Sequence, residues 1–129
     1  MKTKEKQVRI IGNTDVTNSK IIYLPLKREP FAIMVTGEKQ IEIRKQTRAN
    51  RIKNQLVDSK TGKDKEYDYI FFRNGYYETM PFFLCEFKGF RIASEDSSVR
   101  YSDGRVINIK AGDTIILLGK VLECGNLRS

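Results

Sequence analysis

The feature that most constrains the fold is a change of period at Gly37. Before it, Phe31, Met34 and Val35 fall at helical spacing and form one apolar stripe. Pro30 suits the first turn of that helix, where its missing N–H is not needed. Gly37 suits its end, because glycine tolerates positive φ. From Gln40 onward the period is two. Ile41 and Ile43 share one face, and Gln40, Glu42 and Arg44 share the other. Residues 24–45 therefore read as a strand end, a short helix, a glycine stop and a second strand. Glu42 and Arg44 sit about 6.6 Å apart along that strand, two residues of rise, with Lys39 at its mouth. Three charged groups of both signs at one strand end can pair with each other, hold an anion or orient a substrate. Spacing alone leaves these open, pairing or solvation being the ordinary state of a charged strand face.

The rest of the chain reads mainly as strands. Residues 1–19 are polar, with a turn-like cluster at Gly12-Asn13-Thr14-Asp15. Val8, Ile10 and Ile11 suit a short strand covering a sheet edge, within a segment otherwise expected to fray. Residues 20–26 read as a buried strand whose Pro25 places it at a strand end or an edge. Residues 46–56 are rich in helix formers but pair only Ile52 and Leu56 at i,i+4, so an exposed basic helix or an ordered loop is expected. Residues 57–65 continue it as a lysine-rich turn around Thr61-Gly62. Residues 66–73 alternate, with Tyr67, Tyr69 and Phe71 on one face and Ile70 and Phe72 on the other. Asn74-Gly75 signals a tight hairpin. Residues 82–93 give the longest expected strand, with Gly89 marking a bulge or bend. A polar loop at 94–98 precedes a hairpin around Ser102-Asp103-Gly104. Ala111-Gly112-Asp113 turns into a strand at 114–122 that is apolar on both faces, hence central in its sheet. Most of the thirteen Tyr and Phe belong in a core. Tyr69, Tyr76 and Tyr77 are the candidates for exposed rings that stack on bases.

A chain of 129 residues suits one domain with a single core. We divide it into an N-terminal extension (1–19), one domain (20–124) and a short tail (125–129). No apolar run reaches membrane-spanning length, and the start lacks the apolar segment of a signal peptide, so a cytoplasmic protein with no membrane partner is expected. Cys85 and Cys124 are far apart and read as buried thiols, not as a disulfide or metal site. The sequence holds no histidine, which removes serine–histidine and cysteine–histidine catalysis. Lysine, carboxylate or tyrosine would have to move protons. The net charge is +8. Residues 37–63 alone hold eight basic against three acidic residues, a local surplus of +5. Such a concentration is the electrostatic footprint of a polyanion binder, although a solvated basic surface has the same composition.

The octapeptide Gly37-Glu38-Lys39-Gln40-Ile41-Glu42-Ile43-Arg44 fits G-x-K-x-x-E-x-R, which resembles the signature of the ASCH domain. The stretch 113–123, with its Leu118-Gly119-Lys120, looks like that family's closing strand. The resemblance spans about residues 20–124. It implies an α+β, mainly β fold: a PUA-like β-barrel with a short helix before the motif strand and, here, a basic insertion. It implies a cleft at Lys39, Glu42 and Arg44, approached by Lys27 and extended by Lys45, Arg48, Arg51 and Lys53, that binds RNA or a nucleotide-like ligand without metal or cofactor. The family also contains small hydrolases. Some are amidohydrolases acting on a modified cytidine through a lysine, a threonine and a glutamate, and others are ribonucleases. The lysine maps to Lys39, and Glu42 occupies the threonine position. Lys39 and Glu42 are the catalytic candidates in that case.

Overall fold

The computed structural model describes residues 8–26, 40–45, 49–74 and 80–125. The expected helix and glycine stop at 30–37 and the turn expected after Asn74, with Gly75, Tyr76 and Tyr77, lie outside these residues, as do Lys27, Lys39 and Arg48. The described chain is mainly β: β1 (Ile10–Ile11), β2 (Thr14–Asp15), β3 (Ile21–Leu26), β4 (Ile41–Arg44), α1 (Ala49–Leu56), β5 (Tyr69–Asn74), β6 (Phe82–Ile92), β7 (Ser97–Arg100), β8 (Val106–Ile109) and β9 (Thr114–Gly125). A five-stranded sheet in the order β3-β5-β6-β9-β4 curls into a half-barrel, accompanied by two small hairpins, β1-β2 and β7-β8.

Alternation decides what each face of this sheet does. On the inner face, Ile22 and Leu24 of β3, Ile70 and Phe72 of β5, Phe83 and Cys85 of β6, and Ile116 and Leu118 of β9 form the main core. Burying each large apolar side chain contributes roughly 1.5–3 kcal/mol. Helix α1 lies against this face. Its i,i+4 pair, Ile52 and Leu56, is buried in the same cluster, while Lys53, Asn54 and Gln55 stay exposed. The helix is therefore an amphipathic plug with Ile52 and Leu56 inward and Lys53, Asn54 and Gln55 toward solvent. Tyr67 joins this core too, packing edge-on against Phe87 at 5.5 Å and donating its hydroxyl to the Gln55 carbonyl. The alternation that grouped Tyr67 with Tyr69 and Phe71 fails there because regular strand begins only at Tyr69.

The outer face carries two smaller cores, each covered by a hairpin. Val16, just after β2, packs on Phe71 and Leu84, with Ile11, Ile21, Tyr69 and Phe82 around them. The N-terminal hairpin thus covers a sheet face, where an edge was expected. Its turn is tied down: Glu123 of β9 accepts bonds from the Asn13 amide (2.9 Å) and the Thr14 hydroxyl (2.8 Å). Gly12 holds φ +60°, and a Cβ there would meet Glu123 Oε2 at 2.2 Å, so only glycine fits this turn unshifted. At the far end of the sheet Ala93, Ile109 and Ile115 form the other core with Ile41, Ile43, Val99 and Leu117. The β7-β8 hairpin turns where expected, with Asp103 accepting from the Arg105 amide at 2.9 Å.

The long antiparallel ladder between β6 and β9 is the spine. Its register shifts between Phe87 and Phe90, where Gly89 has φ +100°. The extra residue there lets Phe87 and Phe90 both reach the main core although they are three apart. β9, at 12 residues, exceeds β6 by one, so β6 is not the longest strand. β9 lies between two neighbours, as its two apolar faces required. Pro25 sits on an edge strand as expected; Tyr23 of the same strand is 50% exposed, so β3 is not buried throughout. Among the described residues no helix is long and apolar enough to cross a membrane.

Candidate functional site

Among the described residues β4 is the other edge of the sheet and its ladder partner is β9, with Glu42 opposite Ile116 and Arg44 opposite Thr114. Ile41 and Ile43 are drawn outward into the β7-β8 core, so the polar residues of the strand turn inward. Glu42 is only 5% exposed. Its Oε1 accepts the Ile43 amide at 2.9 Å, and its Oε2 faces Arg44 Nη2 at 3.3 Å. The same Nη2 donates to the Pro25 carbonyl at 2.9 Å. Pro25 belongs to β3, the opposite edge of the sheet. One guanidinium thereby bridges the two edges that the backbone ladder leaves apart. Arg44 Nε is buried without a hydrogen-bond partner, and so is Oγ1 of Thr114 across the ladder. A buried donor left unpaired costs about 1–3 kcal/mol. This end of the half-barrel therefore holds an unpaired N–H beside a buried carboxylate.

The remaining sequence-derived candidates separate. Lys45 turns to the outer side, where its ammonium donates to the Asn108 carbonyl at 2.6 Å and to Asp113 at 3.2 Å. Asp113 is buried and also accepts the Lys110 amide at 2.8 Å. That cluster fastens the turn into β9 to the end of β4. Lys53 is exposed in the last turn of α1, and Arg51 is on the same helix. Beyond α1 an open groove of about 480 Å³ is lined by Lys20, Lys63 and Lys65, by Asp58, Asp64 and Glu66, and by Thr61 and Tyr67. Three cations against three anions leave the groove without net charge. The exposed Lys53 of α1 lies outside this groove. The structure brings together Glu42 and Arg44, and adds Pro25 and Thr114, which sequence reasoning missed. The only trace of Pro25 in the sequence was its edge placement; nothing local marked Thr114.

The two cysteines differ. Both are free; Cys85 is buried and Cys124 exposed, which corrects the expectation of two buried thiols. Burial, with the Glu86 carboxylate second, pushes the Cys85 thiol up to about 12. The thiolate is the reactive form. At pH 8 a thiol-specific aromatic disulfide should therefore titrate one group per chain in the folded protein and two in denaturant. Two fast-reacting groups in the folded protein would contradict this placement of Cys85.

Compared with protein-family models, with curated proteins and with solved structures, the chain matched none of them.

Proposed function

We propose that this protein is an ASCH-type, PUA-like domain that binds single-stranded RNA or a nucleotide-like ligand. In this reading the Glu42–Arg44 end of the half-barrel receives a base edge. The observation that carries it is the buried, unpartnered Nε–H of Arg44 beside the Glu42 carboxylate. Nucleobase edges present carbonyl acceptors next to amino donors, and proteins read unpaired bases on those edges. Arg44 supplies a donor for the carbonyl, and Glu42 accepts from the exocyclic amine. Lys39 and the basic residues Arg48, Arg51 and Lys53 then serve the phosphates. Two free thiols suit a reducing, cytoplasmic setting.

Because Arg44 also bridges the sheet edges, the test uses the basic candidates around it instead. Binding of a single-stranded RNA pool is measured across a salt series. Wild type is compared with Lys39→Ala and with a triple charge reversal, Arg48→Glu/Arg51→Glu/Lys53→Glu. For single strands, log K falls with log salt by about 0.7 per phosphate neutralised. The triple variant should lose about 2 from that slope, and Lys39→Ala should weaken binding further. Absent or salt-insensitive binding overturns the reading. RNA recovered cut, with cleavage lost in Lys39→Ala, replaces it with the hydrolase alternative.

A further inference from the structure

Among the described residues the exposed tyrosine is Tyr23, on the outer face of β3. It begins a continuous row. Its ring lies 5.5 Å from that of Phe71, and Phe71 stacks on Phe82 at 5.2 Å and 20°. Register explains the row: Tyr23 pairs with Phe71, and Arg73 of the same strand pairs with Phe82. Among the described residues, two guanidinium groups contact the row. Arg73 lies over the Phe71 and Phe82 rings, at 5.0 and 5.8 Å from their centroids, and Arg9 donates to the Tyr23 hydroxyl. Arg73 Nε is buried and has no hydrogen-bond partner. The N-terminal hairpin covers Phe71 but leaves Tyr23 half in solvent.

We infer that this outer-face row is a stacking platform for a single-stranded nucleic acid, with a base on the Tyr23 ring and Arg9 and Arg73 toward the adjoining phosphates. This inference rests on the RNA reading above and extends it to a second surface. Two observations favour nucleic acid over another occupant. Aromatic rings with guanidinium groups over them complement bases joined by phosphates, the combination by which single strands are held. The row is also continuous with the proposed cleft. Pro25, whose carbonyl takes the Arg44 bond, is two residues from Tyr23 on the same strand, roughly 6.6 Å of rise. That distance is on the order of one nucleotide, so a strand with one base at Arg44 can cross β3 and lay a neighbouring base on Tyr23.

The test uses the full chain and a short single-stranded RNA carrying 2-aminopurine, whose fluorescence falls on stacking. Tyr23→Ala should weaken binding roughly 5- to 150-fold, the range of one lost base stack, and should abolish the quenching. Tyr23→Phe should keep both. Arg9→Ala, at an exposed position that leaves the fold intact, should weaken binding and lower its salt dependence. If wild type binds no RNA, the RNA reading fails and this inference with it. If wild type binds and Tyr23→Ala binds equally well with full quenching, only this inference is overturned, and the face belongs to some other occupant such as a protein chain. Loss in Tyr23→Phe equal to that in Tyr23→Ala overturns stacking in favour of the hydroxyl. So does equal competition by duplex RNA of the same sequence.

Discussion

Glu42→Ala should lower folding stability by about 3 kcal/mol, seen as a fall in the denaturant midpoint without a change in slope. Glu42 accepts from the Ile43 amide and faces the guanidinium that bridges β3 and β4. Removing the carboxylate leaves that guanidinium without its counter-charge in a mostly buried place. Breaking one side of a buried pair costs about 3–5 kcal/mol. The lower end applies because Arg44 keeps some contact with solvent, its side chain being 19% exposed. Glu42→Gln keeps an acceptor for the amide and should cost less. The informative comparison is the double replacement Glu42→Leu/Arg44→Met. Replacing a whole buried pair by apolar groups is often near neutral. If the double variant folds as well as wild type yet no longer binds RNA, the pair is kept for its ligand. If it binds as before, the pair serves the fold alone. A Glu42→Ala variant within 0.5 kcal/mol of wild type would refute the buried pairing itself.

Leu56→Ala should cost about 3 kcal/mol, within the 2–5 kcal/mol range for emptying a fully buried leucine site, while Lys53→Ala should stay within about 0.5 kcal/mol. Leu56 is 0% exposed and shares its core with Phe72, Phe83 and Ile116. Lys53, three residues earlier, is exposed to solvent. Domains of this kind have only about 5–15 kcal/mol in total, so the leucine change should lower the melting temperature by several degrees. Equal, small effects at both positions would mean that α1 is not docked on the sheet.

These two variants mark what sequence could and could not tell. Alternation sorted β4, β6 and β9, and Gly89 announced its bulge, because local pattern and final burial agree there. The i,i+4 pair in α1 was visible, but with only two apolar positions its docking depended on a concave face built by four other elements. The direction of Glu42 was legible only as a choice between faces. It was settled by the β7-β8 hairpin, which claims Ile41 and Ile43 from outside. Tyr23 looked buried because its strand is apolar; the N-terminal hairpin covers Phe71 and stops short of it. No local signal encodes which strands become neighbours, so the parallel pairing of β3 with β5 and the Arg44 bond to Pro25 had no trace in spacing.

The placement of β4 has a consequence for how the molecule is born. Its ladder partner begins at Thr114, some seventy positions later in the chain. During synthesis residues 41–44 emerge early and then wait. Nearly all the remaining chain must be made before the C-terminal strand arrives to receive them. Closing so large a loop comes before its contacts repay it, which puts this pairing among the slow events of folding. Until then β4 lacks the β9 ladder, and Glu42 lacks Ile116 opposite it. A chain ending before Thr114 would carry the whole octapeptide without the β9 strand that pairs with it.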